Sequence, residues 1–106
     1  MTEDEILFEL KVANKYLSIR NRCKEKGIPF GLTLLGVKNL LKAKRCFYTG
    51  KPFTARDALT VERIIPEKGY VTGNVVAVRL KVNQAKADIS PEDIILMAEK
   101  LKKLGL

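Results

Sequence analysis

Apolar and polar positions follow one rhythm over the first forty-odd residues and another from Arg45 onward. Behind Thr2 and Glu5, which have capping-box spacing, Ile6, Leu10, Ala13 and Leu17 recur at helical intervals. They predict a long amphipathic helix from about Glu3 to Lys26 with that stripe as its apolar side. Gly27 stops it, and Pro29 keeps it from resuming. Thr33 is suited to cap a second helix running to about Lys44, with Leu34, Val37, Leu40 and Leu41 as its buried side. Gly36 weakens that helix by up to about 1 kcal/mol relative to alanine. Lys38 and Lys42 lie one turn apart on its polar face.

From Arg45 the pieces become short and extended. Cys46–Tyr48 and Leu59–Glu62 read as strands separated by turn chemistry at Thr49-Gly50 and Pro52. Tyr70-Val71 and Val75–Val78 read as further extended segments around Gly73. Leu80 to about Ala87 predicts a short helix. Ser90-Pro91-Glu92-Asp93 opens a last helix to about Leu104, with Ile94, Ile95, Met97, Ala98 and Leu101 for burial. At 106 residues the chain reads as a single domain, with a helical part over 1–44, a core over 45–88 and a C-terminal helix over 90–105.

Composition narrows the field. No apolar run approaches the ~20 residues of a membrane span, and the first residues are acidic where a secretory leader would be basic. The expectation is a cytoplasmic protein with no membrane partner. Two cysteines, Cys23 and Cys46, suit reduced thiols and are too few for a four-cysteine zinc site. Net charge is +8, and residues 27–56 carry six basic groups and no acidic one. Lys38, Lys42, Lys44, Arg45, Lys51 and Arg56 therefore form a concentrated positive stretch, the footprint of a phosphate-binding surface.

The segment beside that stretch holds residues at informative spacings. It opens Cys46-Phe-Tyr-Thr-Gly-Lys-Pro52, continues Glu62-Arg-Ile64 to Gly69-Tyr70 and Gly73-Asn74, and closes Val82-Asn83-Gln-Ala-Lys86. Over roughly residues 30–90 this resembles the core of the HNH, or His-Me finger, endonucleases, particularly their short phage-type members. The resemblance implies an α+β fold: a compact ββα-metal-like core flanked by N-terminal helices and a C-terminal helix. It places Glu62 at the metal-binding acid, Arg63 at the catalytic histidine, Asn74 at the loop-stabilising asparagine and Asn83 at the helix ligand. Glu62 and Asn83 would be the ligands of a possible Mg²⁺. Arg63, Arg79, Lys81 and Lys86 would join the basic stretch against phosphates.

One departure dominates: the chain has no histidine. A guanidinium stays protonated far above neutral pH, so Arg63 cannot take a proton from water. Other positions where such nucleases carry a base hold Ile65 and Arg79, leaving Glu67 or Glu62 as weak substitutes. Zinc support is absent as well, since Cys46 stands alone, and it reads as a small buried hydrophobe. The expectation is a nucleic-acid-binding protein, DNA in preference to RNA, on a catalytically degenerate scaffold, phage-encoded. Its rivals are an active Mg²⁺-dependent endonuclease with an unusual base, and a phage protein that docks on a host protein.

Overall fold

The computed structural model describes residues 1–106. Helix α1 spans Glu3–Lys26, its first turn capped by the Thr2 hydroxyl, which accepts the Glu5 amide at 3.2 Å. Gly27 ends it at φ 67°, returning its N–H to the Cys23 carbonyl. The side that is buried differs from the predicted stripe. Val12, Ile19 and Cys23 are buried with Phe8 and Tyr16 packed beside them, while Ile6, Leu10 and Leu17 stay about half exposed. Both sets obey helical spacing. Periodicity defines faces, and only the neighbouring elements decide which face is covered.

A two-residue strand, β1 (Phe30–Gly31), leads to helix α2 (Leu34–Leu41), capped by Thr33 through the Gly36 amide at 3.0 Å. Helix α2 stops three residues before the predicted Lys44, because the chain must straighten for Arg45 to pair with Pro52. Val37 is fully buried; Leu34, expected inside, is 54% exposed. Cys46–Tyr48 is a turn rather than a strand, closed by the Gly50 amide on the Cys46 carbonyl at 2.9 Å.

The centre is an antiparallel pair, β2 (Leu59–Arg63) with β4 (Val75–Arg79), in the register Val61 opposite Ala77. Helix α3 (Leu80–Ala87) follows β4 without a loop, so two antiparallel strands and a helix occur in order. Between the strands run a single 3₁₀ turn (Pro66–Lys68) and β3 (Tyr70–Val71), which pairs parallel with β1. Gly69 sits at that crossing with φ 79°, and a Cβ there would lie 2.3 Å from the Pro29 carbonyl oxygen. No other residue fits. The fold is thus α+β, with helices flanking two small two-stranded sheets.

Alternate residues of β2 leave the strand on opposite sides. Val61, with Leu59 and Val75, joins the cluster of α1, α2 and Tyr70. Val76 and Val78 point the other way, into a smaller cluster with Cys46, Phe53, Ile64 and Val82. Helix α4 (Pro91–Lys103) begins as expected, with the Ser90 hydroxyl accepting the Asp93 amide at 3.1 Å. Its expected burial does not occur. Only Ile94 is half-buried, while Ile95, Met97 and Leu101 are 57%, 54% and 46% exposed. The chain is accordingly extended, with a radius of gyration of 15.7 Å against roughly 13 Å for a compact domain of this size.

Candidate nucleic-acid interface

A cleft of about 460 Å³ runs along the edge of β2 that no strand covers. Glu62 and Arg63 reach it from opposite faces of the strand. Glu62 lies on the α3 side, where Lys86 binds its carboxylate at 3.2 Å and donates a second hydrogen bond to the Tyr48 hydroxyl at 2.8 Å. Burial works against the Lys86 charge, but the bonds to Tyr48 and Glu62 outweigh it, and the ammonium pKa rises. Arg63 lies on the other side, its guanidinium 5.0 Å from the Tyr70 ring centre and donating to the Pro66 carbonyl at 3.1 Å.

A third cation comes from far away in sequence. Arg22, on α1, donates to the Tyr70 hydroxyl and stands 5.3 Å from the same ring centre. Nothing local in the sequence marks it for this role, since its partner is 48 residues away. Arg22, Arg63 and Lys86 thus line a cleft in which Glu62 is the one acidic residue.

Asn74 secures the loop that leads into the cleft. Its side chain accepts the Ile65 amide at 3.0 Å and donates to the carbonyls of Ile65 and Gly69 at 2.9 and 2.7 Å. All its polar atoms are used, which is why an asparagine can be 95% buried here without cost. Asn83 has another task. Its amide donates to the Thr60 hydroxyl at 3.0 Å, and Thr60 donates in turn to the Val78 carbonyl at 2.9 Å. The pair stitches α3 to the hairpin.

These contacts do not suit a divalent cation. Glu62 already faces an ammonium, and no second carboxylate borders the cleft. Nowhere does the protein gather three histidine, cysteine or carboxylate side chains. The Mg²⁺ ligand pair expected at Glu62 and Asn83 therefore does not fit as built: one member is neutralised by Lys86 and the other is spent on Thr60.

Arg79 and Lys38, both expected at phosphates, are engaged inside the protein. Arg79 Nε binds Asp57 at 2.6 Å, and Lys38 is paired with Glu9. Asp57 is the polar residue that pattern reading missed. Its other oxygen accepts the Lys81 amide at 2.9 Å, capping α3 from a distant loop. The signal was available: the residue before α3 is Arg79, which has no side-chain acceptor to cap the helix. That amide bond, opposed by burial and helped by Arg79, holds the Asp57 carboxyl below its ordinary value. Lys42, Lys44, Arg45, Lys51, Arg56 and Lys81 remain exposed. Cys46 is buried, as expected of a small apolar residue. Burial pushes its thiol up, yet hydrogen bonds from the Thr49 hydroxyl and from the amides of Arg79, Thr49 and Tyr48 win, bringing it to about 7.

The chain is 33% identical over 88 residues, 80% of its length, to an uncharacterized 29.0 kDa protein of the dda-modA intergenic region of Enterobacteria phage T4. Those residues make up 36% of the phage protein, so the chain spans about a third of that relative's length. No protein-family profile matches the sequence. No solved structure matches it either. None of its helices is long and apolar enough to cross a membrane.

Proposed function

We propose that the protein binds nucleic acid by its backbone phosphates, on an HNH-like scaffold that no longer hydrolyses them, and that it is phage-encoded and works in the host cytoplasm. The observation that carries this reading is the cleft in which Arg22, Arg63 and Lys86 face a single carboxylate already held by Lys86. Two guanidinium groups are left without a carboxylate partner, an arrangement that favours an anionic ligand. The exposed basic residues between Lys42 and Arg56 extend the positive surface. Hydrolysis needs a positioned base, worth ~10²–10⁴-fold in rate, and neither Arg63 nor the paired Glu62 supplies one. DNA is preferred to RNA as the ligand in this reading.

Affinity for duplex DNA, followed by anisotropy across a salt series, tests it. The log–log slope should be about −0.9 per neutralised phosphate. Replacing Lys42, Lys44 and Lys51 together by alanine should weaken binding to every sequence alike and flatten the slope. Unchanged affinity in that variant removes the basic-surface argument. Supercoiled plasmid incubated with Mg²⁺ should stay intact, and cutting abolished by Glu62→Ala would overturn the degenerate reading. A second reading, docking on a host protein, draws on the exposed Met97 and Leu101 of α4 and on Leu104 just past its end. It predicts no salt-dependent nucleic-acid binding at all.

A further inference from the structure

A second depression, of about 400 Å³, opens between α2, the Cys46–Gly50 turn and β4. Its size and its mostly apolar lining are those of a small-ligand site. At its border stands Phe47, 61% exposed. A single exposed phenylalanine is unremarkable, but this one is held in place. Its amide donates to the Ala77 carbonyl at 2.9 Å, and its ring meets Tyr48 edge-on with centres 5.3 Å apart. Tyr48 is itself anchored by Lys86. The aromatic surface is therefore presented by a braced turn.

The rest of the lining is consistent with a flat ligand. Gly36 and Gly73 contribute backbone only, and Gly36 does so inside a helix, where glycine is unfavourable by up to about 1 kcal/mol. Asn39 and Thr72 add an amide and a hydroxyl, and Arg45 adds a guanidinium. Arg45 bonds the Gly50 carbonyl at 3.1 Å and stays exposed, with Lys44 and Lys51 exposed on the same short stretch. Residues 27–56 carry no acidic group to compete for these cations.

We propose that this pocket takes an unpaired nucleobase, which stacks on Phe47 while Arg45 and Lys51 hold the phosphates on either side of it. The inference rests on the nucleic-acid reading above and adds to it a ligand class: a strand with at least one unpaired base. Stacking on an aromatic side chain tolerates any base, because each has a π face. The site thus recognises single-strandedness and not sequence.

The experiment compares three fluorescently labelled probes of equal length: oligo-dT, the same backbone with abasic sugars, and a blunt duplex. Each is titrated by anisotropy against the unaltered protein, Phe47→Ala and Phe47→Tyr. The unaltered protein should bind oligo-dT more tightly than the abasic strand. Phe47→Ala should lose roughly 5- to 100-fold of oligo-dT affinity while holding its affinity for the abasic strand and duplex. Phe47→Tyr should restore the preference. Equal affinity of the unaltered protein for base-bearing and abasic strands overturns the pocket and leaves backbone binding standing. So does an equal loss on all three probes in Phe47→Ala. Failure to bind any probe overturns both readings together.

Discussion

On one face of the β2–β4 hairpin, Leu59, Val61 and Val75 pack into the cluster built on α1 and α2. On the other face, Thr60 and Glu62 meet Asn83 and Lys86 of α3 through hydrogen bonds and an ion pair. The two faces come from alternate residues of the same strand. One is closed by non-directional burial, which tolerates imprecise partners as long as water is excluded. The other adds to its own apolar cluster of Cys46, Val76, Val78 and Val82 a group of paired atoms at set distances, because each buried polar group left unpaired costs about 1–3 kcal/mol. The proposed phosphate cleft sits where the two faces meet, at the open edge of β2. It draws Arg63 from the dry side and Lys86 from the polar one.

Substitutions can break this contrast, beginning at the loop that both faces share. Asn74→Ala should destabilise by about 3 kcal/mol, since it strands the Ile65 amide and two carbonyls. Asn83→Ala should cost about 1 kcal/mol, because Thr60 keeps its bond to Val78. Urea denaturation gives both values, and hydrogen exchange over residues 62–78 should rise in the first variant alone. Equal protection in the two would mean that Asn74 does not govern the loop.

Next come the faces themselves. Val61→Ala should cost about 2 kcal/mol through the cavity it leaves on the dry side. Thr60→Val keeps the shape but deletes a donor and an acceptor on the polar side, and should cost about 1 kcal/mol. Finding Thr60→Val neutral or stabilising would show that the hydrogen-bonded face works by shape alone.

The smallest effect expected concerns pH. Folding raises the Lys86 pKa above 10.5, so its pairing contributes fully below that value and is lost as pH rises through the folded one. Lys86→Met should therefore cost under ~1 kcal/mol, evenly from pH 6 to 10, with the difference from the unaltered protein shrinking at still higher pH. A difference that instead grew above pH 10.5 would contradict the pairing with Glu62 and Tyr48.

How much of this was legible in the chain depends on range. Thr2, Thr33 and Ser90 accept amides three residues on and Gly27 donates to a carbonyl four residues back, and the helix ends they predict are where the helices begin or stop. The exception, α2, ends early because of a strand pairing between Arg45 and Pro52. Strand positions at Leu59, Tyr70 and Val75 followed from runs of β-branched and aromatic residues between turns. Cys46–Tyr48 had the same composition and became a turn, because the Cys46 amide and carbonyl bond back to Lys51 and Gly50 and only the Phe47 amide reaches β4, at Ala77.

By itself the sequence determined where the helices start, the α+β class, the excess of positive charge and the absence of any histidine to serve as a base. These are local or compositional properties, independent of which segments meet. Tertiary structure alone decided that α1 buries Val12, Ile19 and Cys23 and leaves Leu10 and Leu17 outside. It also decided that Asp57 caps α3, that Arg22 joins Arg63 at Tyr70, and that Lys86 takes the Glu62 carboxylate. The reason is physical. A helix or strand offers several faces of similar character, and only the energy of packing against one particular neighbour separates them.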